Sequence, residues 1–156
     1  MSYHPQHFRE VVRETLTLGG WYSPAAEENL FAIAAHESHL GTYLRQHPTG
    51  PARGAFGMEI GTDRLLWSWL AESRRANLRA AVTVITGLRG PSPWALLMRL
   101  DYQIVMARIL LLSYPEPLPP ADDITLIADH WKRRWNTVHG KGTVAKFIAD
   151  YRRFNR

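Results

Sequence analysis

The chain has 156 residues, 46% of them hydrophobic and 21% charged, a balance that excludes a disordered or low-complexity protein. It has no cysteine, which excludes disulfides, thiolate zinc sites and cysteine nucleophiles. A net charge of +5 and a pI near 9.9 leave either a solvated basic surface or attraction to a polyanion such as nucleic acid, anionic lipid or bacterial wall polymer.

The length suits a single domain over residues 1–156, large enough to bury a core without staples. The opening MSYHPQHFRE is polar, and no basic segment leads into an apolar run, so no signal peptide is expected. Phe8, Val11, Val12, Leu16 and Leu18 recur at helical spacing and predict a first helix stopped by Gly19-Gly20. Ser23-Pro24 reads as an N-cap with proline at the first helical position, and Glu27 and Glu28 suit the positive helix end. This second helix is predicted to reach about Arg45.

Pro48, Gly50, Pro51, Gly54, Gly57 and Gly61 forbid a long helix next and predict a loop or small hairpin. Thr62-Asp63 is expected to cap a third helix carrying Leu65, Leu66, Trp69 and Leu70. A fourth should cover Ala76 to Leu88 and end near Gly90. Ser92-Pro93 repeats the cap-and-proline signature and opens a long apolar helix to about Tyr114. Arg99, Asp101 and Arg108 inside it argue for a core helix over a membrane span. Pro115 to Pro120, PEPLPP, reads as a stiff surface crossover. Asp122-Asp123 should open a helix through Trp135, followed by a loop over 136–142, and Thr143 should cap a last helix with Val144, Phe147, Ile148 and Tyr151. The expected fold is mainly α with a small β-hairpin or irregular lobe near 48–61. Trp67, Trp69 and Trp94 are expected in or near the core, and Trp135 at a cleft.

One residue breaks the pattern. Leu30, Ile33, Ala34, Leu40, Gly41 and Leu44 form an apolar stripe on the second helix, and Glu37 falls inside it. A carboxyl turned inward is either neutralised by a partner such as Arg53 or desolvated, with a raised pKa that makes it a proton donor near neutrality. The segment RGAFGMEIGT that follows is either an ordinary glycine-rich turn or a cleft floor, where glycines admit the close backbone approach of a polymer.

Glu37-Ser38, then Gly54-Ala55-Phe56-Gly57-Met58 and Thr62, then Gln103-Ile104, then Trp135-Asn136 follow one another in order over positions 37 to 148. This series resembles the lysozyme-like superfamily, in particular goose-type lysozymes and soluble lytic transglycosylase domains of phage origin. Their series reads E-S, G-L-M-Q, N-I, Y-N. Here Gly57 replaces the glutamine, Gln103 the asparagine and Trp135 the tyrosine. The resemblance implies a lysozyme-like fold and cleavage of the bond between N-acetylmuramic acid and N-acetylglucosamine, with Glu37 as general acid and no cofactor or metal. It implies that Ser38, Gly54, Phe56, Gly57 and Met58 bind the glycan, with Gln103, Trp135 and Asn136 lining or supporting the cleft. The implied partner is peptidoglycan, with other virion proteins as further partners. The implied route is synthesis in a host cytoplasm and action at the wall, through holin-dependent release or as a virion component.

Glu59 lies where goose-type lysozymes carry an aspartate. It is either a second catalytic carboxylate or a surface residue paired with Arg53 or Arg64. Hydrolases place their second carboxylate roughly 5–9.5 Å from the acid, whereas transglycosylases let the sugar's own 6-hydroxyl attack, so the product type stays open. A non-catalytic wall-binding or virion structural module is a further alternative. His36-Glu37-Ser38-His39 lacks the spacing of H-E-x-x-H, and no zinc site is expected. The runs Arg74-Arg75, Lys132-Arg133-Arg134 and Arg152-Arg153 keep a nucleic-acid binder as an electrostatic alternative, without a recognition-helix signature to support it.

Overall fold

The computed structural model describes residues 2–46, 49–137 and 139–156. Pro48, assigned to the lobe from sequence, lies outside them. The elements in order are α1 (Pro5–Leu18), α2 (Pro24–Ser38), β1 (Ala52–Arg53), β2 (Met58–Glu59), α3 (Ile60–Leu70), α4 (Ala76–Thr86), α5 (Pro93–Met98), α6 (Leu100–Leu112), α7 (Ile124–Trp131) and α8 (Val144–Phe154). The fold is mainly α with one antiparallel hairpin, in which Ala52 faces Glu59 and Arg53 faces Met58.

The capping chemistry holds. Ser23, Ser92, Asp123 and Thr143 each accept a bond from the backbone N–H three residues on, at 3.0–3.2 Å. Each such cap stabilises its helix by about 1 kcal/mol. α1 ends at Gly19 as expected.

Several boundaries differ from the sequence expectation. α2 stops at Ser38, not near Arg45, because His39, Leu40 and Gly41 all take left-handed backbone angles. Ser38 Oγ accepts from Gly41 N–H at 2.7 Å, and Leu40 turns wholly into the core. α3 begins at Ile60, so Thr62-Asp63 does not cap it. Asp63 is instead buried, accepting from Tyr102 Oη at 2.7 Å and from Ser92 N–H at 3.0 Å. The long apolar helix breaks at Arg99, which is extended, and restarts as α6. Asp101 stabilises the restart by accepting from the Tyr102 N–H at 2.8 Å while pairing with Arg99. Finally, α7 gives way after Trp131 to a π-helical turn, Lys132–Asn136.

Two apolar clusters share α6. Phe8, Leu30, Phe31, Trp131 and Phe147 join Ile104, Ala107 and Leu111 on one side. Leu66, Trp67, Leu70 and Val82 join Tyr102, Val105, Met106 and Ile109 on the other. Each such side chain stabilises the fold by about 1.5–3 kcal/mol through burial. Trp67 is in this core, Trp69 packs against it, but Trp94 is 64% exposed, since Ser92 starts α5 with the indole on its solvent side. No helix among the described residues is long and apolar enough to cross a membrane.

Candidate functional site

Glu37 occupies the last turn of α2, immediately before the left-handed reversal. Non-glycine residues in this backbone region are strained, and His39 and Leu40 hold it together, fixing the direction of the helix end. Glu37 Oε1 accepts from the Trp131 indole N–H at 2.8 Å. It forms no ion pair among the described residues. Arg53, the alternative partner, donates to Gly50 O and Ala52 O instead. Burial therefore pushes the Glu37 pKa up to about 7, and the Trp131 bond only partly opposes the shift.

The hairpin lobe supplies the floor. Gly57 has φ +58°, and a Cβ there would stand 3.1 Å from Glu37 Oε2 and 3.2 Å from Glu37 Cβ. Position 57 thus gives the carboxyl its room. Gly54 meets the helical body with no gap: an added Cβ would lie 2.2 Å from Leu96 O. The Ala55 peptide is held from both sides, its N–H donating to Gln103 Oε1 at 2.8 Å and its carbonyl accepting from Ser38 Oγ at 2.6 Å.

These contacts correct part of the site read from sequence. Ser38 and Phe56 are sealed in the interior, at 0% and 1% exposure, so neither is open to a ligand in the groove. Phe56 packs on Phe8 at 6.0 Å between ring centroids. Ser38 and Gln103 act on the site by fixing the lobe against α2 and α6.

Two cavities flank Glu37. The larger, about 650 Å³, is lined by Met58, Glu59, Trp135 and Asn136 together with Glu37 and Gly57. The smaller, about 250 Å³, lies toward Tyr43, Arg45, Arg53 and Gly54. Both are bounded by Glu37, Gln46, Ala52 and Gly57, so the acid stands at the junction of two spaces. Glu59 is exposed in the larger cavity and pairs with neither Arg53 nor Arg64. Trp135 and Asn136 are brought there by the π-helical turn, a local irregularity that re-aims side chains. Lys132 Nζ anchors the adjoining loop through Asn136 Oδ1, Gly140 O and Gly142 O, all at 2.7–2.8 Å.

Sequence reasoning missed the support behind the acid. His36 Nδ1 lies 2.7 Å from Asp150 Oδ2, and its ring packs edge-on against Trp131 at 4.6 Å. Burial lowers the His36 pKa despite Asp150, so the imidazole is neutral at pH 7 and donates its Nδ1–H to the carboxylate. Trp131 is itself stacked on Phe147 at 4.7 Å. Nothing local in the sequence links positions 37, 131 and 150; only the helical register of α8, which turns Phe147 and Asp150 to one face, hints at them.

The basic runs are largely engaged at home. Arg74 and Arg75 pair with Glu72, Arg133 and Arg134 pair with Glu116, and Lys132 holds the loop. Among the described residues, no three histidine, aspartate or glutamate side chains converge as metal ligands. The arrangement can deliver a proton near neutrality to an oxygen lying in the groove. Comparison with protein-family models, with curated proteins and with solved structures yields no match to this chain.

Proposed function

We propose that the chain is a lysozyme-like glycosidase acting on peptidoglycan, cleaving the β-1,4 bond between N-acetylmuramic acid and N-acetylglucosamine. The observation that carries this reading is the Glu37 carboxyl. It has no cationic partner among the described residues, is desolvated to a pKa of about 7, and stands between two open cavities. In this reading Glu37 protonates the leaving glycosidic oxygen, and Trp131 steadies the carboxylate left behind. Glu59, in the same groove, orients water or stabilises the oxocarbenium-like centre. Trp135 offers a stacking face for a sugar ring. The resemblance to phage enzymes favours a role as an endolysin or a virion-associated lysin.

The test is digestion of purified sacculi. Wild-type protein should release soluble muropeptides, and Glu37→Gln should release none while keeping its helical circular dichroism. Mass spectrometry of the fragments then decides the reaction: reducing ends mark a muramidase, and 1,6-anhydro ends mark a lytic transglycosylase. Binding of sacculi with no cleavage at any pH would replace the enzyme by a wall-binding module. Steeply salt-dependent binding of DNA with no affinity for sacculi would replace both.

A further inference from the structure

Arg45 and Arg53 form an isolated antiparallel bridge at the mouth of the hairpin lobe. Bridged residues project to the same side of the ladder, so the two arginine side chains leave the same face. Like charges in that position are destabilising. Both residues line the smaller cavity beside the acid. Neither forms an ion pair among the described residues, unlike Arg9, Arg13, Arg99 and Arg134. Arg53 spends one nitrogen, Nη1, on Gly50 O and Ala52 O, which fixes the direction of its guanidinium, and among the described residues Nη2 and Nε have no partner. Glu37 is the acidic residue of that lining, and burial raises its pKa to about 7, so at neutral pH it offsets only part of the charge of the two cations.

We infer that Arg45 and Arg53 form an anion subsite that takes a carboxylate carried on the lactyl arm of a muramyl residue bound beside Glu37. The inference rests on the proposed glycan-cleaving function and deepens it, because it distinguishes muramyl glycans from neutral ones. A guanidinium pair suits a carboxylate through parallel, charge-assisted bonds. The carboxylate has two sources: the free lactyl acid of a peptide-stripped strand, or the termini of an attached peptide stem.

The test is equilibrium binding to Glu37→Gln protein, which cannot turn the ligands over. Three tetrasaccharides serve as probes: one with peptide stems, one with free lactyl groups, and chitotetraose, which has no carboxylate. The parent should bind at least one carboxylate-bearing probe about tenfold more tightly than chitotetraose. Adding Arg45→Gln should erase that preference, and Arg53→Gln should do the same. Whichever muramyl probe loses affinity identifies the source of the carboxylate. Arg45 is exposed and its replacement removes one of two like charges from the same face, so the ligand-free Arg45→Gln protein should melt no lower than its parent. A preference that survives both arginine changes, or none in the parent, overturns the inference. Wild-type cleavage of sacculi with no such preference leaves the glycosidase and removes the subsite. An arginine-dependent preference without any cleavage leaves the subsite and removes the glycosidase.

Discussion

The indole of Trp131 donates to Glu37 Oε1 at 2.8 Å, joining the end of α7 to the end of α2 across most of the chain. That bond lowers the Glu37 pKa while burial raises it, and burial prevails. The acid is thus tuned by two opposing effects from different elements. Trp131 is fixed in turn by Phe147 and by the His36–Asp150 pair behind it.

The first prediction follows from the raised pKa. The folded protein holds the Glu37 proton up to about pH 7, whereas an unfolded chain releases it near pH 4.5. Between those values the folded state binds more protons, so stability falls as pH rises through the window and levels off above it. The loss amounts to at most about 3 kcal/mol. Glu37→Gln has no proton to lose, so at pH 8 it should be more stable than wild type and at pH 4 nearly equal. Denaturant melts at both pH values check this, and a carbon-13 titration of the Glu37 carboxyl should centre near 7. A midpoint near the ordinary 4.5 would remove the basis of the proposed chemistry. Glycan cleavage should correspondingly fall about tenfold per pH unit on the alkaline side.

Trp131→Phe keeps the ring stack and deletes the N–H. Since that hydrogen bond favours the carboxylate, its loss should move the Glu37 titration and the alkaline limb of activity to higher pH. The smaller ring should cost about 1–2 kcal/mol of stability. A purely structural tryptophan would show the stability loss with an unmoved pH profile, and that outcome would refute its role beside the acid.

Gly57→Ala should be damaging for two separable reasons. The backbone at φ +58° disfavours a Cβ by roughly 1–2 kcal/mol. The new methyl would also meet Glu37 Oε2 at 3.1 Å and narrow the junction of the two cavities. The melt should register the first effect, and a fall in kcat of about tenfold or more the second. A variant that loses stability and cleaves normally at a temperature where it is folded would show that the room beside the carboxyl is dispensable.

Much of this architecture is legible in the sequence because it is written locally. Ser23-Pro24, Ser92-Pro93, Asp123 and Thr143 announce their helices by chemistry contained in a few residues. Glu37 stands out because a carboxylate interrupts an apolar stripe. The errors arise where distant contacts outvote local signals. The apolar spacing continues past Ser38, yet the helix stops, because Leu40 is recruited to the core and Ser38 Oγ is taken by Gly41 and Ala55. Ser38 and Phe56 flank the groove in sequence, but their side chains lie behind its wall. Trp131, His36 and Asp150 come together through tertiary packing alone.

Asp63 supplies the last prediction, and it concerns the frame beneath the site. Read locally, Thr62-Asp63 is a helix cap; in the fold, Asp63 ties three elements together. It accepts from Tyr102 Oη on α6 and from Ser92 N–H at the start of α5, while Tyr102 Oη accepts from the Trp67 indole at 2.8 Å. All three side chains are buried. Asp63→Ala would strand a hydroxyl and a peptide N–H away from water, at a cost of about 2–4 kcal/mol. That should lower Tm by roughly 5–15 °C. Asp63→Asn keeps an acceptor and should lose about half as much. Burial raises the Asp63 pKa, so its folded form binds a proton more readily than the unfolded chain, and it too costs stability as pH rises. The alanine variant should therefore show its smallest deficit at alkaline pH. Because α5 and α6 carry Leu96 and Gln103, which meet the lobe at Gly54 and Ala55, the same variant should loosen the groove. Hydrogen exchange of the Ala55 amide should rise more than that of amides in α8, whereas equal changes in both would mean that Asp63 stabilises the fold without directing the site.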